Sequence, residues 1–183
     1  MIKDKEITVL GAAKSGIGAA VLAKKEGYSV FVSDYGEIKN EYKKLLNSLS
    51  IEWEENGHSK NRILQSSEVV KSPGISNEVR IVKELETKNI PIISEIEFAG
   101  RYSKGKKICV TGSNGKTTTT LMIKHILTKA GLDVVAVGNV GNSFAQVLSE
   151  GDHDYYVIEL SSFQLDNMYD FKADISILLN ITP

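Results

Sequence analysis

The sequence predicts an α/β protein in which two units, each built around a parallel sheet, follow one another along the chain. Short apolar runs alternate with helical patterns from end to end, as strands and helices do in such folds. Two glycine-containing loops each come directly after a predicted strand and directly before a predicted helix. A polar segment, residues 102–107, separates the two units, so we expect domains at 1–103 and 104–183.

The elements of the first unit follow from apolar spacing. Strands are predicted at residues 7–10, 28–33, 51–53, 69–70 and 91–93. A helix is predicted over 15–26, and Gly27 is placed to end it. The next helix carries apolar residues at helical spacing, namely Ile38, Tyr42, Leu45, Leu46 and Leu49. A further helix lies before the last strand and is expected to bury Val79, Val82 and Leu85 on one face.

A short helix is predicted to close the first unit. Ser94-Glu95-Ile96-Glu97 has the form of a capping box, in which the Ser94 side chain bonds the Glu97 amide and Glu97 reaches back. We expect this helix to run to about Arg101.

The pattern then restarts in the second unit. Strands are predicted at residues 107–111, 134–137, 155–160 and 175–180, and a helix over 116–130. The chain stops at Asn180-Ile181-Thr182-Pro183, directly after a buried-type strand. Residues just past the carboxyl end of a strand are where sites lie in open α/β folds, so we expect this unit to be incomplete.

Composition excludes several classes of protein. A net charge of −1 over 183 residues gives no electrostatic footprint for nucleic acid. The single cysteine, Cys109, excludes an internal disulfide and, within the run Ile108-Cys109-Val110, is expected to be a small buried hydrophobe. Neither a signal peptide nor an apolar stretch of about 20 residues is present, so we expect a cytoplasmic protein without a membrane partner.

The second glycine loop has the context of a phosphate-binding loop and favours a P-loop ATPase fold for its unit. Its residues are Gly112, Ser113, Asn114, Gly115, Lys116, Thr117 and Thr118. Backbone amides and the helix N-terminus attract phosphate, while Lys116 can reach the β- and γ-phosphates of ATP and Thr117 can coordinate Mg²⁺. The common motif would place its first glycine at Val110, whereas here a glycine stands at 112.

A carboxylate is predicted to complete this site. Glu159 ends the apolar run Tyr155–Ile158, and a carboxylate at a strand end facing a phosphate loop suits Mg²⁺. Taken alone, Glu159 could equally be a surface residue. The three histidines lie in no metal-ligand spacing, and we assign them no catalytic role; they are His58, His125 and His153.

The first glycine loop, Gly11–Gly18, predicts a Rossmann-like unit. Asp34 ends the next strand, as an acidic residue does in dinucleotide-binding folds. The middle glycine of that fingerprint is Ala13 here, and its methyl group would crowd a pyrophosphate. An NAD-dependent oxidoreductase therefore stays a weaker alternative, and Asp34 could also be a turn residue.

Four segments resemble the Mur ligases and their relative folylpolyglutamate synthase. They are Thr111–Thr118, Gly138-Asn139-Val140-Gly141, the segment Glu159–Leu165, and Asn180-Ile181-Thr182-Pro183. The resemblance implies an ATP-dependent, amide-forming ligase of peptidoglycan precursor synthesis. It also implies that Lys116 and Glu159 serve catalysis, that Thr117 and Glu159 hold Mg²⁺, and that Asn139, Ser161 and Gln164 contact the substrate.

The first unit resembles Mur ligases that add D-glutamate to UDP-N-acetylmuramoyl-L-alanine. The matching segments are Gly11–Gly16, Ser72-Pro73-Gly74-Ile75 and Ser94–Phe98. The UDP-substrate-binding residues implied are Lys14 and Ser15 at the diphosphate, Asp34 at the uracil, and Ser72 and Gly74 in the pocket. Family members often carry an arginine two places after the aspartate; Gly36 stands there, so base stacking could pass to Tyr35.

The implied reaction has two steps, in which the substrate carboxylate attacks ATP to give an acyl phosphate, and the D-glutamate amine then displaces phosphate. A family histidine and lysine and the C-terminal domain would lie beyond Pro183, so we expect this chain alone to be inactive. We also expect a monomer. Three alternatives remain: another Mur-type ligase, the oxidoreductase, and a nucleotide-binding regulatory module.

Overall fold

The computed structural model describes residues 3–182 and contains two parallel sheets. The first has the order β3-β2-β1-β4-β5, with β1 (Lys3–Leu10), β2 (Tyr28–Ser33), β3 (Glu52–Glu54), β4 (Glu68–Lys71) and β5 (Ile92–Ile93). The second has the order β7-β8-β6-β9, with β6 (Lys106–Thr111), β7 (Val134–Gly138), β8 (Tyr155–Glu159) and β9 (Ile175–Leu178). Neighbouring strands in both sheets are parallel, which confirms the predicted α/β class.

Helices connect the strands of both sheets. In the first unit they are α1 (Lys14–Lys25), α2 (Asn40–Ser48), α3 (Lys60–Ile63), α4 (Arg80–Thr87) and α5 (Glu95–Gly100). In the second they are α6 (Lys116–Lys129), α7 (Phe144–Glu150) and α8 (Ser162–Leu165). Among residues 3–182, no helix combines the length and apolarity that crossing a bilayer requires.

The strand order places both glycine loops where ligands bind in such folds. In the first sheet the order reverses between β1 and β4, and the first glycine loop follows β1 at that switch point. In the second sheet β6 lies between β8 and β9, so the loop after β6 is flanked by the ends of two neighbouring strands.

Several local predictions are wrong in detail. Val79 precedes α4 and is 39% exposed, while Ile81 takes its place on the buried face with Val82 and Leu85. The short helices α3, α7 and α8 were not expected. For α7 a signal existed, because the Ser143 side chain caps the helix by accepting from the Gln146 N–H.

The capping box at α5 is only half present. The Ser94 side chain accepts from the Glu97 N–H as predicted. Glu97 does not reach back, because the Ser94 N–H donates to the carbonyl of Asn167 and the Glu97 carboxylate accepts from a distant loop, residues 169–171. A tertiary contact with the second unit therefore replaces the local one.

One apolar cluster continues across both units. Helix α1 packs against α5 and α7, and the buried alanines Ala19, Ala20 and Ala23 let the helices approach closely. A Cβ at Gly18 would clash with the Ser143 Oγ and lie 3.0 Å from the backbone nitrogen of Gln146, so glycine is required where α1 meets α7. The boundary at residue 103 remains a prediction, and residues 1, 2 and 183 lie outside the described part of the chain.

Candidate functional site

The loop after β6 opens directly into α6. Gly115 is the N-cap of that helix in a left-handed conformation, with φ of 83°. The N–H groups of the first helical turn have no partner within a helix, so they form an electropositive end. Thr117 and Thr118 stand exposed on this turn, where a bound phosphate or cation can reach their hydroxyl groups.

Lys116 lies folded over the loop. Its Nζ donates to the carbonyl of Gly112 at 2.6 Å and to the carbonyl of Ser113 at 3.1 Å. The ammonium group is thereby held on the loop side of α6, where it can exchange these neutral acceptors for phosphate oxygens with full negative charge.

Glu159 lies next to this loop, because it ends β8 and is paired in register with Val110 of β6. The residue is 1% exposed. Its Oε1 accepts from the Asn139 Nδ2 at 2.8 Å, while its Oε2 is buried with no hydrogen-bond partner among the described residues. A buried carboxylate oxygen without a partner is costly unless a ligand satisfies it.

The donor set fits a hard cation such as Mg²⁺. Residues 3–182 contain no group of three or more His, Cys, Asp or Glu side chains that could hold a metal by themselves. Mg²⁺ is commonly bound by one or two carboxylates together with substrate phosphates and water. The open oxygen of Glu159 and the hydroxyl of Thr117 are the groups that fit this mode.

A cavity of about 840 Å³ opens at the first glycine loop. Its wall includes the predicted residues Asp34 and Gly74, together with Gly11, Tyr35 and Lys60. The Asp34 carboxylate accepts from the Ala12 N–H at 2.6 Å and from the Gly36 N–H at 2.8 Å. Asp34 thus joins the loops after β1 and β2 and holds one side of the cavity in shape.

Three predicted UDP-substrate residues, Lys14, Ser15 and Ser72, are not among the described residues that line this cavity, and they differ in their contacts. Ser15 is partly buried in the first turn of α1. The Lys14 Nζ donates to the carbonyl of Gly141 in the second unit. Ser72 is buried, and its hydroxyl donates to the carbonyl of Gly11 at 3.2 Å, so Ser72 holds the loop rather than presenting a free hydroxyl.

Ser161 and Gln164 are bonded to each other at the start of α8. The Gln164 Oε1 accepts from the Ser161 N–H at 2.9 Å, as the third residue of a capping box does, and it also accepts from the Ser161 hydroxyl at 3.1 Å. Gln164 is buried. The structure therefore gives both residues a capping role, and their predicted contact with substrate stays a prediction.

Comparison with known proteins places both halves in one family. Residues 7–81 match the model of the MurD N-terminal domain, and residues 110–183 match the model of the Mur ligase middle domain. The chain belongs to the Mur ligase family. These two matches together include both glycine loops, Asp34 and Glu159.

Two curated relatives of this Mur ligase chain carry the same name. The UDP-N-acetylmuramoylalanine–D-glutamate ligase of Bacteroides fragilis is 60% identical over 98% of the chain, and that of Porphyromonas gingivalis is 57% identical over 97%. The chain covers 40% of the length of each of these relatives.

Solved structures of Mur-type ligases share the fold. The UDP-N-acetylmuramate:L-alanyl-gamma-D-glutamyl-meso-diaminopimelate ligase from Neisseria meningitides matches with a TM-score of 0.63 at 20% identity, over 97% of this chain and 61% of that one. The UDP-N-acetylmuramate-alanine ligase from Thermotoga maritima matches with a TM-score of 0.58 at 21% identity, over 97% and 41%.

Sequence reasoning missed His58 in this Mur ligase chain. The ring of His58 lies 5.8 Å from the ring of Tyr35 between centroids, and both residues line the large cavity. Its Nδ1 is 2.7 Å from the Ser33 Oγ, and burial lowers the pKa of His58, which favours the neutral imidazole. A lone histidine after a glycine gave no signal, because its partner Ser33 lies on β2, 25 positions earlier in the chain.

Proposed function

We propose that this chain is the UDP-substrate-binding domain and part of the ATP-binding domain of a cytoplasmic ligase. The whole protein would add D-glutamate to UDP-N-acetylmuramoyl-L-alanine in peptidoglycan precursor synthesis, with ATP and Mg²⁺. The observation that carries the proposal is the phosphate loop beside the buried, open carboxylate oxygen of Glu159. The names of relatives at 60% and 57% identity support the substrates.

The main task of the residues in this chain would be to reduce the electrostatic repulsion between the two substrates. A substrate carboxylate and ATP are both anions, so bringing them together needs positive groups at the phosphates. Lys116 and the N–H groups at the start of α6 would supply these groups. Mg²⁺ held by Glu159 and Thr117 would neutralise further phosphate charge when bound.

The cavity in the first unit would hold the uridine nucleotide. Its mixed wall offers the flat ring of Tyr35 for stacking and the Asp34 loop for contacts to a base edge. Lys14 and Ser15 stand at the start of α1, where a diphosphate would meet a helix N-terminus. The acyl phosphate would then form between the two units.

Amino-acid screening of the full-length protein tests this proposal. Release of phosphate from ATP in the presence of UDP-N-acetylmuramoyl-L-alanine is expected only with D-glutamate. Activity with a different amino acid or with UDP-N-acetylmuramate would assign a sibling ligase instead. The 183-residue chain is expected to bind UDP and ADP but to form no amide bond, and ligation by that chain would contradict the proposal.

A further inference from the structure

The first half of the phosphate loop is bonded to a residue far along the chain, Asn180. The Ser113 N–H donates to the Asn180 carbonyl at 2.9 Å, and the Asn114 N–H donates to the Asn180 Oδ1 at 2.9 Å. The Asn180 Nδ2 donates back to the Asn114 carbonyl at 3.1 Å. One side chain therefore both accepts from and donates to the backbone of Asn114, as a neighbouring strand would.

Residues on both sides of Asn180 extend this contact. The Leu179 N–H donates to the Thr111 carbonyl at 3.0 Å, and the Thr182 N–H donates to the Ser113 Oγ at 2.9 Å. These bonds continue the pairing of β6 with β9 past the end of both strands. The loop is thereby fixed over successive residues and not at a single point.

Close approach of this segment accounts for the position of the loop glycine. Gly112 has φ of 141°, and a Cβ there would lie 3.0 Å from the carbonyl oxygen of Asn180 and 3.1 Å from its nitrogen. Backbone atoms cannot yield as a flexible side chain can, so a larger residue at 112 would push the segment away. Gly112, the glycine that departs from the common spacing, is thus the residue against which the backbone of Asn180 packs.

The contact with Asn180 also determines which backbone N–H groups remain available to bind phosphate. The N–H groups of Ser113 and Asn114 already donate to Asn180. The N–H groups of the first turn of α6, from Lys116 onward, have no acceptor within the helix. Phosphate would therefore be bound by the helix end, while the preceding residues serve as its fixed support.

We propose that Asn180 is a positioning residue for the bound nucleotide, acting through the backbone of Ser113 and Asn114. It fixes the first half of the loop so that Lys116 and the amides of α6 face the phosphates. This inference rests on the proposed nucleotide-binding role of the loop. The asparagine amide suits this task because it is neutral and carries both an acceptor and a donor.

Two substitutions distinguish the effect of the hydrogen bonds of the Asn180 side chain from the effect of its neutral charge. Asn180→Ala removes both bonds to Asn114 but keeps the backbone bond to Ser113. Asn180→Asp keeps an acceptor, loses the donor and adds a negative charge beside the phosphates. Asn61→Asp, on the exposed face of α3 in the first unit, is the matched control for the change of charge.

Affinity for ADP in the presence of Mg²⁺, measured by calorimetry on the 183-residue chain, tests the proposal. Asn180→Ala is expected to weaken binding about tenfold, because both hydrogen bonds to Asn114 are lost. Asn180→Asp is expected to weaken it further, because the loss of the donated bond is joined by repulsion between the new carboxylate and the phosphates. Asn61→Asp should stay within about twofold of the unsubstituted chain. Affinities of both Asn180 variants within that same range would overturn the proposal.

Amide hydrogen exchange in the nucleotide-free protein provides the second measurement. Asn180→Ala should speed exchange at Asn114 while leaving amides within β6 and β8 unchanged. Uniformly faster exchange would assign Asn180 a general structural role and overturn the proposal. Should the unsubstituted chain fail to bind ADP, the proposed function of the loop fails, and the exchange at Asn114 still decides whether Asn180 holds it.

Discussion

The carboxylate of Glu95 on α5 accepts the backbone N–H of Ala145 on α7, which joins the first unit to the second through a buried ionisable group. Glu95 is 2% exposed, and its Oε2 has no hydrogen-bond partner in the described part of the chain. Burial raises the pKa of Glu95 to about 7, although the bond from Ala145 favours the charged form. The junction between the units therefore contains a group that titrates near neutrality.

Stability is expected to fall as the pH rises because of Glu95. The folded protein binds this proton more tightly than the unfolded chain, so the stabilising contribution is complete below about pH 4.5 and is lost as the pH passes about 7. Glu95→Gln should remove this loss, raising the free energy of unfolding at pH 8 by about 1–3 kcal/mol. Urea unfolding of both proteins between pH 5 and 8 measures the difference.

The control for Glu95 lies on the other helix of the junction, α7. Glu150 is exposed at the end of α7, so Glu150→Gln should leave the pH profile of unfolding as it is. A wild-type profile that is flat between pH 5 and 8, or a Glu95→Gln profile with the wild-type slope, would contradict the assignment.

Glu97 is expected to contribute stability through the loop that it holds. Its Oε2 accepts from the N–H groups of Tyr169, Asp170 and Phe171 at 2.9, 3.2 and 3.0 Å. Because hydrogen bonds to a charged acceptor are stronger than neutral ones, Glu97→Ala should lower the free energy of unfolding by about 2–4 kcal/mol. Denaturant unfolding measures this loss.

Glu97→Gln is the graded control, because its side-chain oxygen can still accept from the same amides without the charge. Its expected loss is about half that of Glu97→Ala. A Glu97→Gln variant as stable as the unsubstituted protein would show that the shape of the side chain, and not its charge, holds residues 169–171.

Local sequence patterns predicted most of the fold, because strands and long helices show a regular spacing of apolar residues along the chain. The run Tyr28–Ser33 is a strand at its predicted bounds. The roles of Glu95 and Glu97 could not be predicted, since their partners lie far along the chain and only the fold brings them near. The burial of these two acids contradicts the ordinary expectation for glutamate in the first turn of a helix.

The residues of the candidate site were likewise only partly predictable from the sequence. The loop 111–118 and Glu159 could be named from the sequence, because each carries a short motif on one strand end. The hydrogen bonds between Asn180 and the loop could not be predicted, since they depend on which strand lies beside β6. For Ser161 and Gln164 the resemblance implied a contact with substrate, whereas the structure shows the two residues bonded to each other at the start of α8.

Replacing Glu159 by glutamine is expected to remove the effect of Mg²⁺ on ADP binding. The variant keeps an oxygen for Asn139 but loses the negative charge that attracts a hard cation. ADP affinity of the 183-residue chain should rise with Mg²⁺ in the unsubstituted protein by about tenfold or more, and by less than about twofold in Glu159→Gln. The exposed Glu150→Gln should respond to Mg²⁺ as the unsubstituted chain does.

Tyr35 is expected to stack on the base of a bound uridine nucleotide. The ring is 78% exposed at the mouth of the large cavity and tilts by 49° against the ring of His58. Since base–aromatic stacking contributes about 1–3 kcal/mol, Tyr35→Ala should weaken UDP binding about tenfold or more, whereas Tyr35→Phe keeps the ring and should stay near the unsubstituted affinity. Titration with UDP measures both variants. If Tyr35→Phe binds as poorly as Tyr35→Ala, the hydroxyl group and not the ring face makes the contact.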